Sequence, residues 1–228
     1  MYGDSRRGVS PDSNIRRGMV RITRTLAFAA LTLFTISVSS ADGHGGLRVA
    51  ENQRYLEFED GTPFFYLGDT AWELFHRLNR EEADLYVKNR AEKGFTVIQA
   101  VVLAQIGDLK EPNAYGELPL IDRNPAKPNE AYFKHVDYIV DQIEDHGMFV
   151  GMLPTWGSYW KKGGGQIFTA DSARTYGRFL GERYKEKPII WILGGDNGIA
   201  NEEERAIIEA MAEGLGEGDG GTHLITYH

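Results

Sequence analysis

The sequence has no cysteine, which excludes disulfides and any thiolate metal site. Its N-terminal apolar run, Leu26–Val38, is 13 residues, short for a bilayer crossing. The signatures of several chemistries are also missing. The histidines His44, His76, His135, His146, His223 and His228 form neither His-x-His nor HExxH, so no metal is expected. Gly163-Gly164-Gly165 lacks the Gly-Lys-Ser/Thr of a phosphate loop. No Gly-x-Gly-x-x-Gly opens the first strand-to-helix turn, which argues against a dinucleotide site. No cofactor is expected. Basic residues are outnumbered, 25 against 33 acidic. Such a surface repels nucleic acid and anionic membranes, so neither is expected as a partner.

What is present starts with a targeting pattern. Arg6, Arg7, Arg16, Arg17, Arg21 and Arg24 precede the apolar run, and Ser39-Ser40-Ala41 follows it with the small residues of a cleavage site. Residues 1–41 therefore read as a signal peptide, with an uncleaved N-terminal anchor as the alternative. The expected location is secreted or periplasmic, with no membrane contact after cleavage. Six basic and two acidic residues lie in this segment, so the remainder holds 19 basic and 31 acidic residues, a net charge of −12.

Residues 42–62 read as an N-terminal extension. Leu47-Arg48-Val49 and Tyr55–Phe58 flank Glu51-Asn52-Gln53 as a small β-hairpin, and Asp60-Gly61 is a second turn. From residue 63 to 228 short apolar runs alternate with amphipathic stretches. The runs are Phe64–Gly68, Phe95–Leu103, Phe149–Leu153, Ile189–Leu193 and Leu224–Tyr227. They are near-continuously apolar, as strands of a parallel sheet buried on both faces are. Between them, Glu81–Lys93, Ala131–His146, Ser172–Lys185 and Glu202–Glu213 carry apolar residues at 3–4 spacing. Asn79 and Glu82 suggest a capping box, and Gly94 and Gly147 suit C-terminal caps.

The pattern is α/β. A closed barrel and an open doubly wound sheet both fit it. The long loops after the second and third strands favour the (β/α)8 TIM barrel, whose active site such loops build. One strand-helix unit takes about 40 residues and a whole barrel roughly 250, so the expectation is a barrel truncated after about the fifth strand.

Barrel chemistry sits at the C-terminal strand ends. Those ends supply Asp69 and Trp72, Gln99 on the second strand, Trp156, then Asp196-Asn197, and finally His228. Aromatic faces among carboxylates and amides suit a sugar, although the tryptophans also suit plain cover for a barrel mouth. Asp196 follows Gly194-Gly195 and, if desolvated by Trp191 or Trp156, has the makings of a proton donor. It reads equally as the cap of the turn Asn197-Gly198. Asp69 reads as a sugar-hydroxyl ligand or as a cap for the turn carrying Trp72. His135 and His146 read as solvated helix residues.

FFYLGDTAWELFHRL, GFTVIQAVVL, YIVDQIEDHGMFVGMLPTWG and RYKEKPIIWILGGDN followed by HLITYH resemble the apiosidase-like catalytic domain, glycoside hydrolase family 140 and its relatives, over about residues 47–228. The resemblance implies a (β/α)8 glycosidase acting on pectic, apiose-containing polysaccharide or oligosaccharide. It assigns catalysis to Asp196 as acid/base and implies a second carboxylate, a glutamate late in the barrel and missing from this chain. Asp69, Trp72, Gln99, Trp156, Asn197 and His228 are then the expected substrate-binding residues. The alternative is a non-catalytic or degenerate carbohydrate-binding barrel fragment. Oligomeric state is left open.

Overall fold

The computed structural model describes residues 44–107, 109–163 and 165–228. The proposed signal peptide, residues 1–41, lies outside the described residues. Two sheets are present. Strands β1 (Leu47–Val49), β2 (Leu56–Phe58) and β3 (Pro63–Phe64) form a small antiparallel sheet in that order. The main chain of elements follows: β4 (Gly68–Thr70), α1 (Leu74–Arg77), α2 (Arg80–Glu92), β5 (Val97–Leu103), α3 (Glu130–Asp145), β6 (Phe149–Thr155), α4 (Ala170–Tyr184), β7 (Ile189–Leu193), α5 (Glu202–Asp219) and β8 (Ile225–Tyr227).

Strands β4 to β8 pair in parallel and in sequence order, β4-β5-β6-β7-β8. This order separates the two architectures that the sequence left open. A doubly wound sheet reverses its strand order at a switch point. Consecutive parallel neighbours joined by same-handed helical crossovers put every helix on one face, which is the barrel pattern. The fold is thus a five-strand portion of a (β/α)8 barrel.

The central strands β5, β6 and β7 form where their side chains are buried on both faces. The edge strand β4 is only partly buried and β8 is exposed, unlike the two-sided burial expected for Leu224–Tyr227. Every residue of β6 and β7 is buried. On the helix side, Trp191 is fully buried and its Nε1 donates to Asp219 at the end of α5, 2.9 Å away. On the other side, a Cβ added at Gly151 would meet Gln99 Cγ at 3.0 Å and Ile192 Cδ1 at 2.9 Å, so β5, β6 and β7 are packed tightly there. The N-terminal ends of that inner face are covered by the small sheet. Leu47, Phe58 and Phe64 pack on Val97, Phe149 and Ile190, with Phe64 and Phe149 rings 5.3 Å apart.

Three expectations shift. The first parallel strand is Gly68–Thr70 rather than Phe64–Gly68, because Phe64 pairs with Leu56 and closes the antiparallel sheet. The hairpin of the extension is therefore three-stranded. The last helix continues past Glu213 to Asp219, despite Gly214, Gly216 and Gly218. His135 is buried, its Nε2 2.9 Å from the Leu78 carbonyl, not solvated. The helix caps match the sequence: Asn79 and Glu82 make a reciprocal capping box, and Gly94 and Gly147 have φ of 79° and 72°. Among the described residues no helix is long and apolar enough to cross a membrane.

Candidate active site

The turn after β7 is tightly constrained. Gly194, Gly195 and Asp196 have φ of 99°, 80° and 59° in succession. Glycine adopts this region freely, but aspartate does so at a cost. A strained non-glycine residue is held only where its surroundings over-determine it. Here they do. Trp160 Nε1 donates to the Gly194 carbonyl at 2.6 Å, Lys161 Nζ to the Gly198 carbonyl at 2.8 Å, and Tyr227 Oη to the Asn197 carbonyl. Gly157 fits flat against the turn, since a Cβ there would lie 2.6 Å from the Gly195 carbonyl oxygen. Buried Glu204 ties the flanking segments, accepting from Ala200 N at 2.8 Å and lying 3.5 Å from Lys161 Nζ.

The turn holds the Asp196 side chain at the rim. Oδ1 is 3.0 Å from His228 Nδ1, and the Asp196 side chain is 60% exposed. His228 is placed by β8: its backbone N–H donates to the Leu193 carbonyl at 2.8 Å. Its ring meets Trp72 edge-on at 5.5 Å, and Trp72 meets Trp156 at 5.7 Å. The ends of β4, β6, β7 and β8 thus converge on one cluster of Trp72, Trp156, Asp196 and His228.

Four of the seven residues expected at the site form that cluster. Asn197 stands beside it, but its Nδ2 donates to the Gly195 carbonyl at 2.8 Å, so its amide braces the turn. Asp69 is elsewhere. Its carboxylate accepts from Tyr86 Oη at 2.7 Å and from Arg90 Nε, both on α2, so it faces the helix layer and not the cluster. Burial raises its pKa, but the Tyr86 and Arg90 hydrogen bonds and the Arg90 charge outweigh that and hold it below the usual 3.8. Gln99 lies on the inner face of β5, in register with Thr70 at the end of β4, and its amide nitrogen is packed against Gly68, one layer below the Trp72 cluster. Neither aspartate is a helix cap; those of α1 and α5 are Glu73 and Asn201.

The desolvation expected for Asp196 is not supplied by Trp191, which turns to the helices. Trp156 is itself 6% exposed and works mainly as support for Trp72. Sequence reasoning missed Tyr227, whose hydroxyl pins the turn, and Tyr66, which packs against Gly68 and Gly151 beside Gln99. Burial raises the pKa of Tyr66. The only signal for either was an aromatic beside a strand end. Among the described residues, no three His, Asp or Glu side chains are grouped as a metal site would need.

The profile of the apiosidase-like catalytic domain matches residues 50–228. The chain belongs to the apiosidase-like family. Solved structures agree with the fold of this apiosidase-like domain. A glycoside hydrolase is 38% identical with a TM-score of 0.72, over 83% of this chain and 42% of that one. A family 5 glycoside hydrolase from Bacteroides vulgatus ATCC 8482 is 34% identical at the same TM-score, over 83% and 41%. A family 5 mannosidase from Rhizomucor miehei, 17% identical with a TM-score of 0.57 over 81% and 55%, shares the fold. The apiosidase-like chain spans about two fifths of the length of the first two. No curated protein matches it.

Proposed function

We propose that this apiosidase-like chain serves a glycoside hydrolase acting on pectic, apiose-containing polysaccharide or oligosaccharide, with Asp196 as general acid/base. The observation that carries the reading is the Asp196 carboxyl, presented on a strained, clamped turn at the end of β7, within reach of His228 and next to the Trp72–Trp156 pair. Trp72 offers an apolar ring for the C–H face of a sugar. A bound sugar covering the exposed carboxyl would supply the desolvation a proton donor needs. Asp196 then gives its proton to the glycosidic oxygen as the bond to the anomeric carbon breaks. Water adds to that carbon and returns a proton to the carboxylate. This chemistry also uses a second carboxylate, for which the reading takes a glutamate.

The test is hydrolysis of apiose-containing pectic oligosaccharides by the protein and by Asp196→Asn. Loss of a general acid costs about 10²- to 10⁴-fold in rate, and that is the expected outcome, with oligosaccharide binding retained. A variant as fast as wild type refutes the role of Asp196. One observation favours a second reading, a non-catalytic carbohydrate-binding domain: the other strand-end carboxylate, Asp69, is committed to Arg90 and Tyr86. Calorimetric binding of the same oligosaccharides with no turnover selects it. We also propose export by the N-terminal signal. N-terminal sequencing of the mature protein should find residue 42 first.

A further inference from the structure

We infer that Glu204 is a positioning residue for Asp196: together with Lys161 it locks the turn that presents the proposed acid. This deepens the acid/base reading of Asp196 and rests on it. Glu204 is the third residue of α5, and the N-cap Asn201 takes its backbone N–H at 3.0 Å. The same Asn-x-x-Glu spacing opens α2, where Glu82 returns the bond by accepting from Asn79 N at 3.0 Å. Glu204 is put to another use. It is 2% exposed, and its Oε2 accepts from Ala200 N at 2.8 Å while Oε1 accepts from Lys162 N at 3.3 Å. Lys161 Nζ, 3.5 Å from Oε2, forms an ion pair with it. A carboxylate is costly to bury unless charge and hydrogen bonds offset the lost water. Here the partners come from the two loops beside Asp196, the one after β6 and the one after β7. The Ala200 and Lys162 N–H groups and the Lys161 charge hold the carboxyl below the usual 4.5 against the effect of burial. Glu204 is thus a carboxylate with both oxygens taken.

The path to Asp196 is short. The ammonium that faces Glu204 also donates to the Gly198 carbonyl at 2.8 Å, two residues beyond Asp196. Trp160, the residue before Lys161, donates to the Gly194 carbonyl, two residues ahead of Asp196. One dipeptide therefore clamps both ends of the turn in which Asp196 has φ of 59°. Trp160 is fixed by complete burial. Lys161 is a long, partly exposed side chain with much rotamer freedom. The buried anion keeps its ammonium on the Gly198 carbonyl. A displacement of about 1 Å in a reacting group can cost about 10²-fold in rate.

The experiment compares the full chain with Glu204→Gln, Lys161→Met and the double variant on two aryl apiosides. One has a good leaving group (2,4-dinitrophenol) and one a poor one (4-methoxyphenol). A good leaving group departs without protonation; a poor one needs the acid. We expect each single variant to lose about tenfold in kcat/KM on the poor leaving group and under about threefold on the good one. Because the two side chains act as one unit, the double variant should also lose about tenfold, not about a hundredfold. Equal losses on both substrates, or losses that multiply, would mean a structural role alone and overturn the proposal. Glu203→Gln removes an exposed charge from the same turn of α5 and should stay near wild type; a tenfold loss there would assign the effect to helix charge instead. Should Glu204→Gln fail to fold, Lys161→Met tests the clamp by the same leaving-group pattern. Asp196→Asn reports separately: wild-type rates on both substrates refute the acid assignment itself. If no turnover is seen, 15N NMR of the indole N–H groups decides. Trp160 Nε1–H reports the turn, and Trp191 Nε1–H, bonded to Asp219, is the control. In Glu204→Gln the Trp160 signal should move and the Trp191 signal stay; an unmoved Trp160 signal overturns the proposal.

Discussion

Asp196 joins a chemical demand to a conformational one. Its φ of 59° suits asparagine at least as well, since Asn is among the residues enriched in the left-handed region. Asp196→Asn should therefore unfold within about 0.5 kcal/mol of wild type in urea while losing turnover. Asp196→Val, β-branched and ill-suited there, should lose about 1–3 kcal/mol. If both unfold alike, the strain is not real. Asp69 makes a different prediction. Its folded pKa is depressed, so it stabilises the fold at pH above 3.8, and that contribution is lost as pH falls through the folded value. Asp69→Asn should cost about 1 kcal/mol at pH 6 and progressively less as the pH is lowered below 3.8, read by denaturation across that range. Activity on sugars should survive it, because Asp69 faces α2. That Asp196, Trp72, Trp156 and His228 lie together, as their strand-end positions suggest, while Asp69 turns away is a matter of pleat. Strand-end position follows from chain order alone, but which face a strand residue takes changes with every single residue. The first strand begins at Gly68 rather than Phe64, and Asp69 falls between two inward positions. Gln99 is on the inner face but one layer below the cluster, its amide turned to Gly68, a depth that apolar runs do not mark.

The same division holds for whole elements. Buried parallel strands announced themselves as unbroken apolar runs, and the four long helices by their spacing. The end of α5 did not, because three glycines read as breakers. They are a packing device. Alanine at Gly214 or Gly218 would bring Cβ to 2.2 Å from the Arg174 carbonyl or 2.4 Å from the Arg178 carbonyl of α4. Gly177 and Gly181 on α4 answer in kind, at 2.6 Å from the Met211 carbonyl and 2.4 Å from that of Leu215. The two helices lie backbone to backbone, with Arg174 and Arg178 closing the seam onto Glu217. Gly181→Ala and Gly214→Ala should each destabilise by about 1–3 kcal/mol through overpacking, even though alanine is the better helix former. Gly216 faces open space, with nothing within 4 Å of a Cβ. Gly216→Ala should stabilise by about 0.5–1 kcal/mol from helix propensity. Urea midpoints that move in the same direction for all three variants would refute the seam.

At the scale of the molecule, the sheet presents two edges, β4 and β8, each hydrogen-bonded on one side among the described residues. Phe65 is 73% exposed beside the first, and Ile225 and Tyr227 are exposed on the second. The cluster at the strand ends nevertheless draws on both edge regions, Trp72 after β4 and His228 after β8, so the curvature of the sheet assembles the rim. Charge acts over the same distance. The chain is net −8, and −12 without its N-terminal segment. A galacturonate-rich polymer is also anionic, so the two repel at long range, and local groups at the rim must supply recognition. The proposed substrate therefore predicts an unusual salt dependence. Raising NaCl from about 10 mM to about 150 mM shortens the Debye length from about 30 Å to about 8 Å. The kcat/KM on pectic polymer should rise several-fold across that range, because screening removes the penalty on approach. A neutral aryl apioside assayed alongside should show no change. A rate on polymer that falls with salt would instead mean attraction by a cationic patch, and would overturn the account of this surface as repulsive.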